Sequence, residues 1–234
     1  MITRDRIAGL DVVLAGGDSK DAPLVVLLHG FGAPGDDLVS LQRVMRVPRE
    51  TRFVFPAGPI ALDMMPGARA WWNIDMMRLQ SAMERGDLRD LSTEEPEGMD
   101  EARAKIDALL GELEEKFAPR ALVLGGFSQG AMLSCDVALR TERRLDGLVV
   151  LSGTLLAKDA WVPKMSRLAN KPIFQSHGSN DPLLPFALAE ELQHALATAG
   201  ARTTWVPFRG GHEIPGPVVD RLGAFLDGVL AKPA

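Results

Sequence analysis

The strongest constraint on the fold is a set of short, unbroken apolar runs. Leu24-Val25-Val26-Leu27-Leu28, Phe53-Val54-Phe55, Ala121-Leu122-Val123-Leu124, Leu148-Val149-Val150-Leu151 and Pro172-Ile173-Phe174 do not alternate with polar residues. A strand with one face in water alternates, whereas one covered on both faces does not. Thr203-Thr204-Trp205-Val206 reads as one more strand, and Leu10 to Leu14 as an added edge strand. Between these runs the period becomes helical. Ala102, Ile106, Leu109, Leu113 and Phe117 recur at steps of three or four, with Glu and Lys on the other face. Phe186, Ala189, Leu192 and Leu196 mark a second such helix. Val218, Leu222, Phe225 and Val229 mark a third, starting near Pro217, which a first turn tolerates. Strands alternating with helices predict an α/β fold: a mostly parallel, doubly wound sheet flanked by helices. The expectation is one domain over residues 1–234.

Composition narrows the class further. With 46% hydrophobic and 24% charged residues the chain is that of a globular protein, large enough to bury a core without staples. A net charge of −5 and the lack of a basic stripe exclude nucleic acid as the main partner. Cys135 is the only cysteine, so no intrachain disulfide can form. The N-terminus lacks the apolar core of a signal peptide, and no run approaches the length that spans a bilayer. A cytoplasmic location without stable membrane insertion is therefore expected.

One stretch has no clean period. Residues 60–98 are first rich in Met and Trp and then heavily charged, with eight charged residues among the eighteen from Ser81 to Gly98. An irregular insertion of this length is either a solvated excursion or one wall of a site.

The chemistry is carried by Gly126-Phe127-Ser128-Gln129-Gly130. It follows a buried-strand run and precedes a helical pattern of Met132, Cys135 and Leu139. A serine on such a sharp strand-to-helix turn needs very small residues two positions to either side, and Gly126 and Gly130 supply them. The turn holds the hydroxyl at the positive end of the following helix. A nucleophilic serine requires a base, and the base an orienting acid. Of four histidines, His29 belongs to a different motif, His177 ends a strand run and reads as structural, and His194 falls mid-helix among Glu and Gln. His212 lies in a Gly-rich loop between the last strand and the last helix, and is the best base. Asp181, in the turn Gly178-Ser179-Asn180-Asp181-Pro182 past a strand end, is the best acid. Its competitors are Asp159 and Glu213, the latter too close in sequence to His212 to orient it. Asp181 also reads as an Asx-turn residue ahead of Pro182.

Gly30-Phe31-Gly32-Ala33-Pro34-Gly35 fits G-x-G-x-x-G, the dinucleotide fingerprint. Pro34 removes a donor where pyrophosphate would need one. The strand about 20 residues on, where the fingerprint places a ribose-binding acid, reads Phe53-Val54-Phe55-Pro56 without one. The loop reads better as half of an oxyanion hole, with the backbone N–H groups of Phe31 and Gln129 as donors. Because backbone groups do this work, changing either side chain is expected to matter less than displacing the loop.

The motifs around these residues resemble the phospholipase/carboxylesterase family, which includes acyl-protein thioesterases and small bacterial esterases. The resemblance rests on residues 27–38, on Ala70-Trp71-Trp72-Asn73-Ile74-Asp75, on Gly126 to Gly130, on His177 to Pro182 and on Gly211-His212-Glu213-Ile214-Pro215. It implies an α/β-hydrolase fold without a large cap domain, a triad of Ser128, Asp181 and His212, and no metal or organic cofactor. The expected activity is hydrolysis of esters or thioesters of small to medium acyl groups, with lysophospholipase or acyl-protein thioesterase activity as a variant. A nucleotide-dependent oxidoreductase and a non-catalytic binding protein are the rivals from other classes. Met64, Met65, Trp71 and Trp72 are candidates to line the acyl site. The partners expected are a small-molecule ester or thioester and, as a homodimer, a second copy of the chain.

Overall fold

In the computed structural model, which describes residues 2–63, 66–75, 92–93 and 95–231, the apolar runs assemble into one eight-stranded sheet. In chain order the strands are β1 (Ile2–Ile7), β2 (Leu10–Gly16), β3 (Leu24–Leu28), β4 (Arg52–Pro56), β5 (Ile60–Ala61), β6 (Arg69–Ala70), β7 (Leu122–Phe127), β8 (Gly147–Leu151), β9 (Pro172–Gly178) and β10 (Arg202–Phe208). The α-helices are α1 (Leu41–Val44), α2 (Met99–Phe117), α3 (Gln129–Arg140), α4 (Lys158–Trp161), α5 (Phe186–Thr198) and α6 (Gly216–Leu230). The sheet order is β1-β2-β4-β3-β7-β8-β9-β10, and β5 with β6 forms a separate small hairpin. β1 and β2 pair antiparallel, as do β2 and β4; from β4 to β10 every pairing is parallel.

Unbroken apolar runs become strands covered on both faces. Along β3, Leu24, Val26 and Leu28 enter one core with α2 and α3, while Val25 and Leu27 enter a second core with α1 and α6. Side chains alternate across a strand, so apolar residues on both faces demand helices on both sides. The edges differ. From the sequence β2 reads as the edge of the sheet, but β1 lies outside it, and only Ile7 of β1 is buried. An edge strand this polar carries no periodic apolar signal; its charges suit an edge that faces water. No cap domain covers the sheet and no helix is long and apolar enough to cross a membrane, both among the described residues.

Parallel pairing also sets the strand ends level. Phe127 of β7 lies beside Leu151 of β8, Leu151 beside Ser176 of β9, and Gly178 of β9 beside Phe208 of β10. Residues that follow these ends therefore share one edge of the sheet, the usual place for functional groups in such folds.

Candidate active site

Ser128 follows β7 directly and stands at φ 54°, ψ −118°, a backbone that few residues other than glycine adopt. Such a conformation costs on the order of 1–3 kcal/mol and persists only where its surroundings enforce it. Here the Ser128 N–H donates to Leu151 O at 2.9 Å, and the Ser128 carbonyl accepts from Ala131 and Met132 as α3 begins. The two glycines do what the sequence required. A Cβ on Gly126 would lie 2.5 Å from Leu28 O, and one on Gly130 would lie 2.6 Å from His29 O. Both obstacles are backbone, so the turn can press against β3 only if these positions are bare.

Asp181 and His212, the candidate acid and base, lie in contact. Asp181 Oδ2 accepts from His212 Nδ1 at 2.7 Å, and Asp181 Oδ1 accepts the N–H groups of Leu183 and Leu184 at 2.9 and 3.0 Å. The carboxylate is fully buried. Burial alone would raise its pKa, but the hydrogen bonds from His212, Leu184 and Leu183 outweigh it and hold the group below the usual carboxylate range. The two loops are bound to each other. Ser179 N–H donates to Phe208 O and Asn180 N–H to Gly210 O, at 2.8 and 2.9 Å. The imidazole of His212 packs on the Phe127 ring, centroids 4.8 Å apart, next to Ser128 in the chain. Glu213, the rival acid, turns instead to its own loop and accepts from Gly211 N–H; Asp159 sits in the first turn of α4.

Beside Ser128 runs the loop after β3. A Cβ on Gly30 would lie 3.3 Å from Ser128 Cβ, which fixes how closely this loop passes. Gly32, at φ 79°, donates to Arg69 O at 2.9 Å, and Arg69 N–H returns to Ala33 O at 3.1 Å. The β5–β6 hairpin thus holds the loop from behind. Among the described residues, no hydrogen bond engages the N–H of Phe31 or of Gln129. These are the two donors expected to face a reacting carbonyl. The loop's N–H groups beyond Phe31 are engaged by protein at Gly32 and Ala33 and missing at Pro34, so it offers pyrophosphate no nest.

A family profile described as Phospholipase/Carboxylesterase matches residues 11–230. The chain belongs to the phospholipase/carboxylesterase family. Relatives share this reach: the chain is 28% identical over 223 residues to acyl-protein thioesterase 1 of Gibberella zeae, covering 89% of this chain and 91% of that protein. It is 31% identical over 186 residues to acyl-protein thioesterase 1 of Kluyveromyces lactis, covering 75% and 77%. Among solved structures, esterase PE8 is similar with a TM-score of 0.76 at 27% identity, over 93% of this chain and 97% of that one. A carboxylesterase of Bacillus cereus has the same fold, with a TM-score of 0.73 at 21% identity over 94% of each chain.

Trp71 and Trp72 do line a cleft of about 450 Å³ with Pro59, Ile60, Gly98 and Ala102, but only 1% and 3% of their own surface is exposed. Trp71 spends its indole N–H on His29 O at 2.9 Å. It supports the loop after β3 and offers an acyl chain almost no contact area. Met64 and Met65 lie outside the described residues, as does most of the charged half of the 60–98 stretch.

His177 was the residue the sequence undervalued. It is fully buried, its Nε2–H donates to Leu184 O at 3.0 Å, and the same nitrogen lies 3.3 Å from Asp181 Oδ2. It braces the turn that presents Asp181. Burial pushes its pKa down, with the charge of His212 adding to the effect. The one signal available in the sequence was its spacing of four from Asp181 across a tight Gly-Ser-Asn turn.

Proposed function

We propose that this protein is a serine hydrolase that cleaves carboxylic esters or thioesters of small to medium acyl groups through an acyl-enzyme. The carrying observation is the 2.7 Å bond between Asp181 and His212, with the imidazole resting on Phe127 beside the strained Ser128. Asp181 holds the Nδ1–H tautomer, which leaves Nε2 free as a base. His212 takes the Ser128 proton as Oγ attacks the acyl carbon, and the negative charge moves to the carbonyl oxygen. The N–H groups of Phe31 and Gln129 receive that oxyanion. Collapse of the tetrahedral intermediate breaks the bond to the alkoxide or thiolate, which leaves with the proton from His212. Water, deprotonated by the same histidine, then releases the acid and restores Ser128.

Sulfur is no rival nucleophile. Cys135 is buried in α3 and burial pushes its thiol far up, so its thiolate is not populated near neutrality. Thioesters are the favoured variant within this reading because the curated relatives carry the name acyl-protein thioesterase 1. The cytoplasm is the proposed place of work.

A fluorophosphonate probe, followed by p-nitrophenyl esters and acyl thioesters of graded length, tests this. Labelling is expected at Ser128 and is expected to vanish in Ser128→Ala. An unlabelled wild type, or full labelling of Ser128→Ala, overturns the assignment.

A further inference from the structure

Gln129 does more than lend its backbone N–H. Its side chain is buried and binds the bend after β6 twice: Oε1 accepts from Trp71 N–H and Nε2 donates to Trp72 O, each at 2.9 Å. A carboxamide used this way engages a donor and an acceptor at once, which fixes the plane of the group against that bend. The segment it grips then acts on the loop after β3. The Trp71 indole N–H donates to His29 O at 2.9 Å, and its ring lies against the His29 imidazole with centroids 5.2 Å apart.

His29 carries the connection onward. Its Nδ1 lies 2.7 Å from Gly30 O, and its Nε2 accepts from Gly58 N–H at 2.9 Å. A carbonyl can only accept and Gly58 N–H can only donate, so the ring is the neutral Nδ1–H tautomer. Gly30 O belongs to the same planar, trans peptide unit as Phe31 N–H, and the two point in opposite directions. Gripping the oxygen therefore aims the N–H. A continuous set of buried polar contacts runs from the Gln129 side chain through Trp71 and His29 to the peptide that carries the other donor.

We propose that the Gln129 side chain, with Trp71 and His29, is a positioning device that holds the two oxyanion donors, Phe31 N–H and Gln129 N–H, at a fixed separation and orientation. The proposal rests on the reading of those two N–H groups as the oxyanion hole. It bears on the expectation that changing the side chain at 129 matters less than displacing the loop, since here the side chain itself helps to place the loop. One residue supplies a donor from its backbone and sets the opposite donor through its side chain.

The test uses two variants of the full chain, separately and combined. Trp71→Phe removes the indole N–H and keeps a large ring; Gln129→Met keeps length and removes both polar atoms. Measurements are kcat and KM for p-nitrophenyl acetate, inhibition by a trifluoromethyl ketone that forms a tetrahedral oxyanion adduct, and the urea midpoint. Loss of a whole donor costs roughly 10²–10³ in rate, and misplacement of one is expected to cost about 10–10²-fold in kcat. KM should stay within about twofold while ketone affinity falls in step with kcat. The double variant should fall well short of the product of the single effects, because both cut the same connection. Wild-type kcat and ketone affinity in folded Trp71→Phe would overturn the proposal even if stability drops, and that variant decides the matter if Gln129→Met does not fold. Failure of the underlying reading looks different: the wild type itself would neither react with the fluorophosphonate nor bind the ketone.

Discussion

Asp181 divides its two oxygens between two tasks, and the division determines what the smallest possible change does. Oδ1 holds the turn through Leu183 and Leu184, while Oδ2 holds His212. In Asp181→Asn the amide oxygen can keep the turn, so its NH2 faces His212 Nδ1 and donates to it. The imidazole then carries its proton on Nε2 and cannot accept one from Ser128. The expected result is a stable protein with kcat lower by about 10⁴-fold, the effect of an asparagine acid in a serine triad; urea midpoints and kcat measured side by side check it. Gly126→Ala should do the reverse, damaging the fold. Its Cβ would sit 2.5 Å from Leu28 O and 2.6 Å from the Gly130 carbonyl carbon, and neither neighbour can rotate away. A loss of about 2–3 kcal/mol or more is expected from such overpacking, read from the urea midpoint. These two residues were legible in the sequence because glycines two positions from a serine, and an aspartate past a strand end, are local patterns. His177 and the Gln129 side chain were not. Their roles arise from contacts with Leu184, Trp71 and Trp72, and no spacing rule links 129 to 71.

At the scale of elements, unbroken apolar runs and a helical period are strong signals, and α2, α5 and α6 formed where that period lay. β1 escaped because every residue but Ile7 is exposed, and its turn to β2 is disguised. Ile7 pairs with Leu10, so the turn is the dipeptide Ala8-Gly9, both at positive φ (49° and 74°). That is the turn in which Asn-Gly is the usual pair. Alanine at the first position strains its Cβ. Ala8→Asn should raise the stability of the hairpin by about 0.5 kcal/mol, because asparagine tolerates this conformation; a higher Tm checks it, and a lower one refutes the turn argument. A second hidden feature lies on α3, whose residues from Gln129 to Leu139 are all buried, Asp136 among them. Its carboxylate is paired with Arg103 at 2.8 Å and accepts the Trp161 indole N–H at 2.9 Å, with Arg140 at 3.5 Å, tying α2, α3 and α4 together. Removing one partner of such a buried pair is costly while swapping both is not. Asp136→Ala should lose about 3 kcal/mol in a urea titration, whereas basal kcat per folded molecule stays unchanged because α3 still begins directly after Ser128.

For the molecule as a whole, the parallel sheet converts chain order into a site. Loops after β7, β9 and β10 leave from level strand ends, so Ser128, Asp181 and His212 reach one edge although about thirty to fifty residues separate consecutive members. The same burial makes the protein sensitive to acid. His29 and His177 are both buried, and burial is the first cause that holds each below the ordinary histidine pKa of about 6.5. Around His29 the nearby charges are Asp37, which opposes the shift, and Arg69, which adds to it; around His177 they are Asp181 and His212, in the same two senses. A depressed folded pKa means that the unfolded chain binds protons the native one refuses. Stability from these groups is therefore complete above about pH 6.5 and declines as the pH falls through that value, by up to about 1.4 kcal/mol per unit for each histidine. Asp181 acts in the same direction only near and below its own unfolded range of about 3.9, clear of this window. Between pH 7 and 5.5 the two histidines together should lower stability, read as a downward shift of the urea midpoint at constant ionic strength. His29→Asn keeps a donor toward Gly30 O and has nothing to titrate, so whatever its stability at pH 7, its further loss on acidification should be smaller than that of the wild type. A wild-type midpoint that is flat from pH 7 to 5.5, or an undiminished slope in His29→Asn, would show that these rings accept protons in the folded state as readily as in the unfolded one.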